Sequence, residues 1–134
     1  MIALADSSVL IDWFNNRETA QTRQLRDLAA SGGVQIGDLM IAEVLRGCDT
    51  DSRFSRIHAM LATFDHVVIS DVGVAIEAAR HYRFLRGKGV TVRGTIDTLI
   101  ATRCIVDGLP LLFSDRDFQP FVDHLGLIDA MTLA

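Results

Sequence analysis

Short apolar runs alternate with longer helical segments along the chain, and this alternation limits the fold more than any other feature. Ile2 to Ala5 reads as a strand, "SSVLIDWFNN" and "ETAQTRQLRDLAAS" as helices, and Gly32 and Gly33 close the second. "VQI" is the next strand; Gly37 follows, and Asp38 is expected to cap the helix "LMIAEVLRGC". "DSRFSRIHAMLATF" places Phe54, Ile57, Leu61 and Phe64 at helical spacing, and "HVVIS" is a third strand. Asp71 caps a long helix running from Val72 to Arg86, "KGVTVRG" is a loop, and Thr95 opens the helix "IDTLIATRCIVDG", which stops at Gly108. "LPLLF", a short helix around "DFQPFVDHL" and a last short strand near "GLID" complete the chain.

Strands separated by helices call for parallel pairing under right-handed crossovers. Mainly continuous apolar strands suit a sheet covered on both faces. The expected fold class is therefore α/β: an α/β/α sandwich around a short, mostly parallel sheet of roughly four to five strands, with residues 1–134 forming one domain. An apolar fraction of 49% supports a packed core and argues against disorder. No run reaches the roughly 18 apolar residues of a membrane helix. The N-terminus lacks the basic and long apolar regions of a secretory signal, so a cytoplasmic protein is expected. Cys48 and Cys104 form no CxxC pair and read as core thiols.

Two strands end on carboxylates. "MIALAD" stops at Asp6, and "LLFSDRDF" passes through Ser114 into Asp115. In an open parallel sheet, ligands bind in the crevice at the carboxyl ends of strands, where both residues would point. Each also precedes a helix, so an N-cap role accounts for either one alone. Glu43 lies inside "LMIAEVLRG", where an unpaired Glu is out of place unless it binds a cation or bridges to Arg46. Asp97 is the only acid in "TIDTLIATRCIV"; the helix dipole alone would favour it in a first turn. Taken together, acids from four separate elements suit a hard divalent cation, which needs a few carboxylates and keeps its remaining positions for water and phosphate. Without a cation they would repel one another and raise each other's pKa. Asp117 reads either as a further, water-mediated ligand or as a surface partner of Arg116, and Asp12 as a rim residue.

The net charge of −4 fits such a site, because setting four acids aside leaves the remaining charges balanced. Twelve of the 13 basic residues are Arg, the better fork for phosphate oxygens. Other chemistries find no support. There is no Walker loop or GxGxxG after a strand. The four His residues lack zinc-ligand spacing.

With these residues in place the chain resembles the PIN-domain family, specifically its VapC-type toxin ribonucleases. The resemblance covers essentially the whole chain. It is carried by "ADSSVLIDWF", "IAEVLRG", "TIDTLIA" and "LLFSDRDF", similar in order and separation to the family's Asp-Thr-Ser opening, Ala-Glu helix, Asp-x-x-Ile-Ala helix and closing Asp-x-Asp-Phe. Ser7 stands where Thr is commoner. The resemblance implies that Asp6, Glu43, Asp97 and Asp115 form a Mg²⁺ pocket, with Mn²⁺ able to substitute, for RNA phosphodiester cleavage by metal-activated water. It implies that Ser8 and Ser114 support the pocket, leaves Asp117 as the alternative fourth acid, and implies a homodimer and a cognate antitoxin whose C-terminal segment blocks the site. The RNA, whether a tRNA or an rRNA, is not specified. Arg86, Arg93 and Arg116 are candidate phosphate contacts, as are Arg80, Arg83 and Lys88 along the long helix; a solvated face or an anchor for an acidic antitoxin segment explains the helical ones equally well.

The competing class is a non-catalytic, receiver-like module that holds Mg²⁺ as a phospho-acceptor. It needs a lysine after a late strand, and Lys88, the only lysine, lies at a helix end. A haloacid-type phosphatase lacks the same lysine and has Ser8 where a second Asp is required.

Overall fold

The computed structural model describes residues 1–134. Four strands, β1 (Ala3–Ala5), β2 (Val34–Gly37), β3 (Asp65–Val67) and β4 (Leu111–Leu112), form one sheet in the order β3-β2-β1-β4. Every pairing is parallel; Ala3 lies opposite Val34 and Leu4 opposite Leu111. Between the strands run α1 (Ser7–Phe14), α2 (Ala20–Ala30), α3 (Asp38–Arg46), α4 (Asp51–Leu61), α5 (Val72–Gly87) and α6 (Thr95–Asp107), with α7 (Gln119–Leu125) after β4.

The order fixes the layers. The first two crossovers step the same way along the sheet, so equal handedness puts α1 to α4 on one face. The third steps back across it and puts α5 and α6 on the other. Leu10, Leu25 and Met40 from the first layer and Leu85, Ile100, Phe118 and Phe121 from the second bury themselves completely with Leu4, Ile36 and Leu111 of the sheet. A receiver-like sheet runs 2-1-3-4-5, with β1 between β2 and β3. Here β1 lies between β2 and β4, so the ends of β1 and β4 are neighbours.

Most boundaries follow local chemistry. Thr19, Thr50 and Asp71 cap α2, α4 and α5 through side-chain oxygens, and Gly108 takes a left-handed φ of 65° to end α6. Several expectations need correction. Asp38 does not cap α3; Gly37 does, and Asp38 is the first helical residue, its Oδ1 accepting from the Ile69 amide at 2.8 Å. The turn is drawn in against Ile69: a Cβ on residue 37 would lie 2.3 Å from Ile69 Cγ1, so glycine is required there. The third strand starts one residue earlier than expected and ends at Val67. The last strand shrinks to a single bridge between Leu111 and Asp129, because Asp129 caps a 3₁₀ turn at Ala130–Leu133 and curls the chain away. Phe54 is exposed, while Ile57 and Leu61 further along the same helix are buried.

Cys104 is buried and Cys48 half-buried. His81 Nδ1 meets Thr102 Oγ1 at 2.9 Å and His66 Nε2 meets the Leu61 carbonyl at 3.0 Å, so both histidines are satisfied locally. No helix is long and apolar enough to cross a membrane.

Candidate metal centre

Because β1 and β4 are adjacent and parallel, the residues leaving them emerge side by side. Asp6 leaves β1, is buried, and caps α1. Its Oδ2 accepts from the Ser8 amide at 3.1 Å and from Ser8 Oγ at 2.5 Å. Ser8 Oγ in turn accepts from the Ser114 amide at 3.4 Å, and Ser114 Oγ lies at the same distance, tying the β4 exit to the β1 exit. Asp115 caps a 3₁₀ turn (Arg116–Phe118) by accepting the Asp117 amide at 2.9 Å on Oδ1. The N-cap and pocket readings of Asp6 and Asp115 are therefore compatible.

Glu43 projects from the second turn of α3 and is half-buried. It makes no ion pair with Arg46; it accepts from Ser7 Oγ at 3.2 Å instead. Ser7 is itself buried. The sequence gives it no role beyond its departure from Thr, and its link to Glu43, 36 residues away, is the contact that sequence reading missed. The only local signal is its place between Asp6 and Ser8 in the first turn of α1.

Asp97 lies in the first turn of α6, whose Gly94 cap offers no side chain. A carboxylate oxygen from each of Asp97, Asp115 and Asp117 falls within 4.8 Å of the others. Asp117 thus converges with Asp115 on Asp97, and it forms no pair with Arg116.

Electrostatics link all five acids. Burial pushes Asp97 up from the usual carboxylate range to about 7, and the charges of Asp6, Asp115, Glu43 and Asp117 add to it. Burial likewise pushes Asp6 to about 6, opposed by its hydrogen bonds from Ser8 and reinforced by Glu43. No Arg or Lys side chain brings a charged nitrogen within 4 Å of a carboxylate oxygen of any of the five. Oxygens on opposite sides of a Mg²⁺ ion stand about 4 Å apart. The spacing, the all-oxygen donor set and the missing counter-charge therefore fit a hard divalent cation.

The remaining candidates are dispersed. Asp12 pairs with Arg17 at 3.4 Å. Arg93 and Arg116 are exposed, and Arg86 donates to the Tyr82 hydroxyl at 3.2 Å on its own helix. Arg80 pairs with Glu77, and Lys88 Nζ lies over the Phe84 ring. None of these bases forms an ion pair with the five acids.

The chain matches the PIN domain family over residues 3–123. Its fold is similar to that of VapBC2 from Rickettsia felis, solved bound to a DNA fragment from their promoter, with a TM-score of 0.76, 19% identity and 96% of each chain covered. It is also similar to DNA-bound VapBC from Salmonella typhimurium, with a TM-score of 0.72, 17% identity, and 96% of this chain and 97% of that one covered. A toxin-antitoxin complex from Klebsiella pneumoniae matches with a TM-score of 0.69 at 21% identity, over 94% of this chain and 95% of that one.

Proposed function

The chain belongs to the PIN domain family, and from that premise we propose that it is a Mg²⁺- or Mn²⁺-dependent endoribonuclease, the toxin of a toxin–antitoxin pair. The observation that carries this reading is the convergence of Asp97, Asp115 and Asp117 beside Asp6 and Glu43 with no cation of the protein's own among them. When bound, the metal supplies charge neutralisation at the phosphodiester and activation of water.

The chain's residues divide the remaining work. Asp97 and Asp115 hold the ion, with Asp6 and Glu43 behind them. Ser8 fixes Asp6 by donating two hydrogen bonds to one oxygen, and Ser7 fixes Glu43. Ser114 holds the β4 exit against Ser8, which keeps Asp115 in register with Asp6. Asp117 adds a further carboxylate at the rim. Arg93 and Arg116, exposed near the acids in sequence, take flanking RNA phosphates.

A cognate antitoxin and a homodimer complete the proposal. The α1–α4 face supports a protein partner: shallow grooves there are lined by Phe14, Val44 and Ile57 and by Trp13, Met60 and Phe64, with Arg53 and Arg56 at their edges. An amphipathic acidic segment suits apolar grooves rimmed by Arg.

The test is incubation of labelled total tRNA and rRNA with the purified protein in Mg²⁺, in Mn²⁺ and in EDTA. Discrete fragments that appear only with metal support the proposal. A protein that binds metal yet leaves every RNA intact rejects the nuclease reading.

A further inference from the structure

Helices α5 and α6 run antiparallel: Arg103, late in α6, bonds to Asp71 at the start of α5, and Thr95, which opens α6, shares a groove with Tyr82 and Arg83 late in α5. The groove encloses about 450 Å³. Ala75, Ala78 and Ala79 line it from α5, small side chains that keep the two helices from closing over it, and Leu99 adds an apolar wall from α6. Its lining includes no carboxylate. Two features set it apart from the other grooves of the molecule. It alone reaches the first turn of α6, the turn that carries Asp97. At that end it also presents an aromatic ring beside cations. Tyr82 is 38% exposed. The Arg86 guanidinium donates to its hydroxyl at 3.2 Å and lies 6.0 Å from its ring centroid, which steadies the ring and leaves the hydroxyl's own proton free to donate. Arg83 forms no ion pair in the chain.

We propose that this groove is a base subsite: a nucleobase next to the scissile phosphate splays out of the RNA strand, enters between α5 and α6 and stacks on Tyr82, while Arg83 and Arg86 hold the neighbouring phosphates. The inference rests on the nuclease reading and adds the residues that would choose where the strand is cut. A phosphate held at Asp97 brings its flanking nucleotides to the mouth of the groove, because Thr95 and Asp97 share one helical turn. An exposed aromatic ring flanked by arginines is the chemistry that takes unpaired bases. The alanines and Leu99 accept the flat apolar body of a base, and the hydroxyls of Tyr82 and Thr95 offer hydrogen bonds to its polar edge. A protein segment would use the alanines and the arginines, but nothing in its chemistry calls for a groove that opens beside the metal centre.

The experiment maps the cuts that the full chain makes in labelled tRNA and rRNA with Mn²⁺, then uses a labelled oligoribonucleotide spanning one cut, intact or with a single abasic residue beside it. Binding of the same oligonucleotide in EDTA is followed by fluorescence anisotropy, with far-UV circular dichroism and Mn²⁺ titration as checks on the fold and the metal centre. In wild type, removing the base at one flanking position is expected to slow cleavage and weaken binding about tenfold. Tyr82→Ala is expected to lose about tenfold on the intact oligonucleotide and nothing further on the abasic one, because base and ring act as a pair. Tyr82→Phe, which keeps the ring, should stay within about threefold of wild type. Arg83→Ala should lower the slope of log affinity against log salt by about 0.7. All variants should bind Mn²⁺ within about twofold of wild type. Should Tyr82→Ala lose its helical signal, Ala79→Leu, which fills the groove and keeps the ring, carries the same test with the same tenfold loss. A wild type that cuts no RNA overturns the subsite together with the nuclease reading. A wild type that cuts RNA, matched in rate and position by folded Tyr82→Ala and Ala79→Leu, overturns the subsite alone. Variants that cut normally but sediment differently from wild type assign the groove to a protein partner and also overturn the proposal.

Discussion

Ser8 Oγ donates to Asp6 Oδ2 at 2.5 Å while accepting from the Ser114 amide at 3.4 Å. One hydroxyl therefore orients a buried acid and clamps the ends of β1 and β4 together. It also holds the acid's pKa down, because a donor aimed at a carboxylate favours the charged form. In Ser8→Ala, Asp6 is expected to titrate higher still. Cleavage near neutral pH should fall about tenfold, and the acid limb of the pH–activity profile should move up by about one unit. A fall in activity that is the same at every pH would mean that Ser8 does not act through Asp6.

The metal-free protein is expected to lose stability as pH rises from about 4 to about 7. In the folded state Asp6 and Asp97 titrate at about 6 and about 7, while unfolded they titrate near 3.8. Across that window the folded chain binds more protons than the unfolded chain, so raising pH favours unfolding. Asp71 acts oppositely: its pKa is lowered by its cap to Val74 and its bond from Arg103, so its contribution is lost only in stronger acid. Melting in EDTA at about pH 5 should therefore occur a few degrees above melting at about pH 7.5, and millimolar Mn²⁺ should remove the difference. Equal melting temperatures in EDTA would contradict the burial of Asp6 and Asp97 among like charges.

Asp115 and Asp117 are expected to differ in degree. Both place an oxygen near Asp97, but Asp115 leaves the sheet directly and also caps the turn that carries Asp117. Asp115→Asn should reduce cleavage by about 100-fold or more, and Asp117→Asn by about tenfold. Isothermal titration with Mn²⁺ should rank the two variants in the same order; the reverse ranking would make Asp117 the principal ligand.

Arg103 separates stability from activity. Its side chain, only 13% exposed, donates to the Ile69 carbonyl at 3.1 Å, to Asp71 at 2.8 Å and to Asp107, joining the β3 exit and the start of α5 to α6. Arg103→Ala is expected to cost about 2–3 kcal/mol in urea unfolding. Its metal affinity and cleavage per folded molecule should stay within about twofold of wild type; a larger loss would place Arg103 in the function of the site.

The strand–helix alternation and the acids at strand ends could be read from sequence because both are local: an apolar run, a cap and a carboxylate occupy neighbouring positions. Asp38 and Gly37 show where that fails. The sequence preference for Asp as a cap is real, yet the turn's close packing on Ile69, a residue over 30 positions away, excludes a side chain at the cap. The Ser7–Glu43 bond and the approach of Asp117 to Asp97 are likewise tertiary, set by strand order, which no local pattern encodes. The "GLID" segment contains strand-forming residues, but Asp129 spends its side chain on a turn and leaves a single bridge.

The most direct measurement pairs cleavage with metal binding on the same protein: labelled tRNA and rRNA cut by wild type and by Asp97→Asn in Mn²⁺, alongside titration of each with Mn²⁺. Asp97 is the residue whose ionisation all four other acids oppose. The expected result is discrete, metal-dependent fragments from wild type, with cleavage and Mn²⁺ binding lost together in Asp97→Asn. Full cleavage by a folded Asp97→Asn, or cutting by wild type that persists in EDTA, would contradict a nuclease built on this carboxylate cluster.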